Sequence, residues 1–213
     1  MQYRWIRKSQ TPVLGPGPRR EAIVVFGGWA VGPEVFTHLA GDQDVLFIQD
    51  YRSLEMDLPD LSGYAHVSLL AWSFGVAAYG HWQAGRADPF DRKVAVNGSL
   101  SPVDRDTGIP PVALRKTIKT LSTESYQLFL SRAFGSAQPA AVTDVEARKA
   151  ELLAVEARGP APDPGFDRVW ISSRDKIFPP ANLARAWAGQ GMRQCEAPHM
   201  PFAAFASWQA LLS

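Results

Sequence analysis

A single cysteine, Cys195, occurs among the 213 residues, so an intrachain disulfide is excluded. Such scarcity suits a reducing compartment, and the cytoplasm is the expected location. No stretch approaches the ~18 consecutive apolar residues that a membrane-spanning helix needs, so no membrane association is expected. The basic opening, Met1 to Lys8, is not followed by an apolar run; Thr11-Pro12 and Gly15-Pro16-Gly17-Pro18 come instead, and no signal peptide is read. Neither sign of charge dominates: 22 Lys and Arg against 21 Asp and Glu leave a formal net charge of +1. Nothing global therefore points to nucleic acid. No histidine pair or cysteine cluster has metal-ligand spacing, so no metal is expected.

What is present is the composition of a globular protein, with 46% hydrophobic and 20% charged residues. The length suits one domain spanning residues 1–213, and a monomer is expected. Short apolar runs alternate with helical patterns, the signature of an α/β fold with a mostly parallel sheet flanked by helices. The runs are Ala22 to Phe26, Val45 to Ile48, Val67 to Ala71, Val94 to Val96 and Val169 to Ile171. They do not alternate with polar residues, as strands buried on both faces do not. Tyr3 to Arg7 reads as an edge strand. Helices are expected at Phe74 to Ala84, Asp144 to Val155, from Pro179-Pro180 to about Ala188 and at Phe202 to Leu212, with His38 on a further helix after the first glycine loop.

Residues 98–165 lack any buried-strand run. They open on the loop Ser101 to Pro111, close on Gly159-Pro160-Ala161-Pro162-Asp163-Pro164-Gly165, and carry helical patterns between. This reads as a small helical cap inserted over the sheet.

Ala71-Trp72-Ser73-Phe74-Gly75 falls where a buried strand gives way to a helix, the context of a nucleophile elbow. The turn needs small residues two before and two after the serine. Gly75 meets this in the usual form; Ala71 stands where glycine is usual. Alone, the pentapeptide is equally compatible with an ordinary strand-to-helix turn. Asp175, just beyond the Val169 strand, sits where a carboxylate can orient a histidine; alone it reads as a cap or ion-pair residue. Of the four histidines, His66 lies at the wrong end of its strand and His81 about two turns into the helix after Ser73. His199, in Pro198-His199-Met200-Pro201-Phe202, lies late in the chain on a loop. The order Ser73, Asp175, His199 is that of an α/β-hydrolase, and the conjunction outweighs its parts.

Phe26-Gly27-Gly28-Trp29 follows a strand, as an oxyanion loop does, so the backbone N–H groups of Trp29 and Phe74 are the candidate oxyanion donors. The competing reading is a glycine turn that packs the sheet. Cys195 lacks an elbow and falls on a strand pattern, which argues against a thiol nucleophile. Most of the seven tryptophans are expected in the core. Arg115, Lys116, Lys119, Arg132, Arg148 and Lys149 suit either an acidic partner or solvated helix faces.

Together these residues resemble the pimeloyl-[acyl-carrier protein] methyl ester esterases of the BioG type. The likeness is carried by Phe26-Gly27-Gly28-Trp29, Asp50-Tyr51-Arg52, Ala71-Trp72-Ser73-Phe74-Gly75-Val76 and Asn97-Gly98-Ser99. It continues through Pro102-Val103-Asp104, Gly108-Ile109-Pro110, Ser173 to Pro179 and Pro198 to Phe202. Alanine at position 71 is similar to that family's own pattern. Residues 9–20 look longer than the family's start, and residues 133–165 match it least. The resemblance implies an α/β-hydrolase with Ser73, Asp175 and His199 as triad and Trp29 and Phe74 as backbone oxyanion donors. It implies cleavage of the methyl ester of pimeloyl-acyl carrier protein without a cofactor. The acyl carrier protein would be the partner, met through Arg115, Lys116, Lys119 and Arg132. Two other readings stay open: a serine esterase or thioesterase for another small acyl substrate, and a non-enzymatic carrier-binding protein on a hydrolase fold.

Overall fold

The apolar runs form strands because each offers a backbone ladder and two faces that helices can cover. The computed structural model describes residues 1–9 and 20–213; most of the proline- and glycine-rich stretch seen in the sequence lies outside the described residues. The strands are β1 (Gln2–Arg7), β2 (Glu21–Phe26), β3 (Asp44–Gln49), β4 (His66–Trp72), β5 (Arg92–Val96), β6 (Arg168–Ser172) and β7 (Met192–Cys195). They form one sheet in the order β1-β3-β2-β4-β5-β6-β7. Only β1 is antiparallel, paired to β3 with a register shift between Trp5 and Arg7. Edge strands tolerate polar residues, which is why β1 and β7 are the least apolar. The central residues Val24, Leu46, Leu69 and Ala95 are fully buried.

The helices are α1 (Phe74–Gln83), α2 (Pro111–Thr120), α3 (Thr123–Phe134), α4 (Val145–Arg158), α5 (Pro180–Ala186) and α6 (Trp208–Leu212). In α1 every residue except His81 is buried, as a helix apolar on all sides should be. The His81 Nε2 donates to the Gly159 carbonyl at 3.2 Å. Helices α2, α3 and α4 all lie between β5 and β6. Ser122 and Ser125 form a reciprocal cap at the start of α3, and Gly135 ends it at φ 75°. Asp144 caps α4 by accepting from the Ala147 N–H at 3.0 Å.

Two expected helices are corrected. The segment from Phe202 is a 3-10 turn, Phe202–Ala204, followed by extended Phe205. Helix α6 restarts only after Ser207, whose side chain caps it by accepting from the Ala210 N–H. The break arises because residues 206–208 pair with Ala40: Ala40 N–H donates to Ala206 O and Trp208 N–H to Ala40 O. His38 rides no helix; the short 3-10 turn Pro33–Phe36 precedes it, and its Nε2 donates to the Phe202 carbonyl at 2.9 Å.

Candidate active site

At the carboxyl end of β4 the chain turns sharply into α1, and Ser73 holds the turn at φ 58°, ψ −127°. A non-glycine residue there stores roughly 1–3 kcal/mol, which the surroundings must offset. They do so through close backbone packing. A Cβ at Gly75 would lie 2.1 Å from the Phe26 carbonyl oxygen and 2.6 Å from that of Gly27. One at Gly98 would lie 2.2 Å from the Ser73 oxygen. The Ser73 N–H donates to Val96 O at 2.9 Å, and Val76 N–H donates to Ser73 O at 3.1 Å. Glycine is thus required at 75 and 98 by approach distance, and the elbow is pressed against the start of the Gly27-Gly28 loop.

Strand β6 delivers the turn that carries Asp175, and the loop after β7 carries His199. The structure brings both to Ser73. His199 Nδ1 lies 2.7 Å from Asp175 Oδ2, and His199 Nε2 lies 3.0 Å from Ser73 Oγ. A carboxylate only accepts, so the proton sits on Nδ1 and leaves the Nε2 lone pair facing the hydroxyl. The other Asp175 oxygen accepts from the Ile177 and Phe178 amides at 2.7 and 2.9 Å. The His199 ring stacks on Phe178 at 5.9 Å and 11° and packs against Trp72 at 5.5 Å. All three polar residues are buried.

Trp29 lies in the turn after β2, and Phe74 is the first residue of α1, where helix amides have no partner within the helix. Three long-range hydrogen bonds from side chains hold the Gly27 to Ala30 loop. Tyr51 OH donates to Gly27 O at 2.7 Å, Trp29 Nε1 to Arg148 O at 3.0 Å, and Tyr126 OH to Ala30 O at 2.7 Å. The last two anchors come from α4 and α3.

The basic residues divide. Arg115, Lys116 and Lys119 are exposed on α2, and Arg132 on α3. Arg115 Nε pairs with Glu156 at 2.7 Å. Lys149 is half-buried. Arg148 is no solvated face residue: its mostly covered guanidinium pairs with the buried Glu151 at 2.8 Å. Burial pushes the Glu151 carboxyl above its ordinary range, against the lowering effect of the Tyr51 amide and Arg148. Cys195, at the end of β7, touches Ser172 Oγ at 3.6 Å, and burial raises its thiol pKa, the opposite of activation. Among the described residues no group of three His, Cys, Asp or Glu could hold a metal ion. No helix there is long and apolar enough to cross a membrane.

Sequence reasoning gave no role to Asn97 and Trp72, whose side chains both reach the His199 carbonyl. The one available signal was the Asn97-Gly98 pair at a strand end, since asparagine tolerates the left-handed backbone found there, φ 45°.

A seven-stranded, mostly parallel sheet, helices on it, and a serine turn between β4 and α1 define an α/β-hydrolase. The family model of pimeloyl-ACP methyl esterase BioG matches residues 18–153. The crystal structure of selenomethionine BioG from Haemophilus influenzae is 30% identical, with a TM-score of 0.85 and 100% of each chain covered. The chain therefore belongs to the BioG family. An uncharacterized protein of Haemophilus influenzae is 33% identical over 213 residues, covering 89% of this chain and 93% of that protein. A malonyl-[acyl-carrier protein] O-methyltransferase of Bacteroides fragilis is 34% identical over 184 residues, 81% of this chain. The chain spans only 37% of that relative's length.

Proposed function

We propose that this chain is a serine carboxylesterase that cleaves the methyl ester of pimeloyl-acyl carrier protein, releasing methanol and a free distal carboxylate. The observation that carries the chemistry is the continuous relay from Asp175 Oδ2 through His199 to Ser73 Oγ, at 2.7 and 3.0 Å. Membership of the BioG family carries the substrate.

Ser73 Oγ attacks the ester carbonyl as its proton passes to His199 Nε2. Asp175 holds the imidazole tautomer and stabilises the imidazolium. The Trp29 and Phe74 amides receive the oxyanion. Collapse breaks the bond to methoxide, which takes the proton from Nε2 and leaves as methanol. Water then attacks the acyl-serine, gives one proton to Nε2, and frees the acid; that proton returns to Ser73 Oγ. No cofactor takes part in these steps. Residues 98–165 act as the cap within a single domain, and the enzyme works as a cytoplasmic monomer.

Acyl carrier proteins are acidic, and exposed Arg115, Lys116, Lys119 and Arg132 would steer one towards the cap. The test compares kcat/KM for the carrier-bound methyl ester with that for free dimethyl pimelate, in low and high salt. A preference for the carrier-bound ester that shrinks with salt, and falls in Lys116→Glu/Lys119→Glu, supports the reading. Equal efficiency on both substrates removes the carrier from it.

A further inference from the structure

Asn97 closes β5 with its side chain fully buried and its backbone in the left-handed region, φ 45°. Its N–H donates to Trp170 O of β6 at 3.0 Å. Its amide side chain makes three further hydrogen bonds. Oδ1 accepts from the Ser172 N–H at 2.7 Å, and Nδ2 donates to Ser172 Oγ at 2.7 Å and to the His199 carbonyl at 2.7 Å. Ser172 ends the strand that delivers Asp175 three residues later; His199 is the residue that must meet that aspartate. One rigid amide therefore grips both arms of the acid–base pair. The His199 carbonyl receives a second donor, Trp72 Nε1 at 3.1 Å, from the residue next to Ser73.

We propose that Asn97 is a positioning residue for the hydrolytic reaction, setting the separation of Asp175 and His199 through the His199 backbone carbonyl. This rests on the reading of His199 as base. The carbonyl's two lone pairs are both used, by donors from the strands carrying the nucleophile and from β5. The loop holding His199 is thereby fixed in two directions. Without Nδ2 the carbonyl is buried with half its bonding, and the loop has freedom to shift. Reacting groups displaced by about 1 Å lose up to roughly 100-fold in rate.

The test uses Asn97→Gly, which suits the positive φ, Asn97→Asp, which keeps the shape but puts an acceptor opposite the carbonyl, and Leu46→Ala as a core truncation remote from the site. Two readouts are taken: kcat and KM on an ester substrate, and the downfield proton resonance of the His199 Nδ1–Asp175 bond. Both Asn97 variants should lose roughly 10- to 100-fold in kcat with KM little changed. In Asn97→Gly the resonance should move upfield or vanish. Leu46→Ala should lose stability and keep the resonance. Asn97 variants that keep the resonance, or that lose activity only in step with stability as Leu46→Ala does, overturn the proposal; so does failure of both to fold. Should Ser73→Ala retain full turnover, the triad reading fails, yet the resonance still reports whether Asn97 sets the pair.

Discussion

The Tyr126 hydroxyl on α3 donates to the Ala30 carbonyl at 2.7 Å, and Ala30 sits at φ 59°, a backbone state that an alanine does not adopt without support. The residue before it is Trp29, the proposed oxyanion donor. A helix between β5 and β6 thus props the loop that carries this proposed donor.

Removing that prop has a defined expectation. Tyr126→Phe keeps the ring against Trp29 and Phe129 but leaves the Ala30 carbonyl without its donor. Stability should fall by about 0.5–1.5 kcal/mol. The kcat should fall while KM stays near its starting value, by less than the ~2.7–4 kcal/mol that outright loss of an oxyanion donor costs. Steady-state kinetics alongside denaturant unfolding check both. A rise in KM with kcat preserved would assign Tyr126 to substrate binding instead.

Asp175→Asn is the sharpest test of the relay. The Ile177 and Phe178 amides already donate to Oδ1. Asparagine must therefore keep its carbonyl oxygen towards them and turn its NH₂ to His199. The imidazole then presents Nδ1 as acceptor and Nε2–H to Ser73, the wrong tautomer. The expected loss is ~10⁴-fold in kcat with the fold intact. Labelling of Ser73 by a fluorophosphonate should slow in parallel; unchanged labelling would show that Asp175 does not set the tautomer.

Gly75→Ala pits helix propensity against sterics. In an ordinary helix the change gains about 1 kcal/mol. Here the new methyl meets backbone oxygens at 2.1 and 2.6 Å, and neither can rotate away. The variant should be less stable than its parent by thermal unfolding and should lose turnover, because the elbow moves off the Gly27 loop. Stabilisation would mean that the elbow has more room than the structure gives it.

Glu151 sets a pH dependence. It bonds the Tyr51 amide at 2.9 Å and Arg148 at 2.8 Å, yet burial holds its pKa above the ordinary carboxylate value. The folded state then binds this proton more tightly than the unfolded chain does. The associated stability is complete below the unfolded pKa and is lost as pH rises through the folded one. Glu151→Gln removes the titrating group, so the parent should gain stability relative to this variant as pH falls through that window. Urea unfolding of both across a pH series reads this; a parent that loses stability relative to the variant towards acid would reverse the sign of the Glu151 shift.

Much of this was legible in the sequence for physical reasons. Doubly buried strands cannot alternate, so β2 to β6 announce themselves as apolar runs. Ser73, Asp175 and His199 stand in the hydrolase order, and the structure brings them within hydrogen-bonding distance. The edge strand β7, Met-Arg-Gln-Cys, carries no such signal because one side of it is solvated. The break between Phe202 and Trp208 was hidden because it depends on pairing with Ala40, far away in sequence. Asn97 was hidden likewise: its importance lies in Ser172 and His199, 75 and 102 residues distant, and no local pattern records that.

The most direct test follows pimeloyl-acyl carrier protein methyl ester by intact-mass spectrometry, with wild-type enzyme and Ser73→Ala in parallel. The account predicts conversion to the free distal acid with the carrier thioester intact, methanol release, and no conversion by Ser73→Ala. Turnover that persists in Ser73→Ala, or a folded wild-type enzyme that leaves the ester untouched, would contradict it.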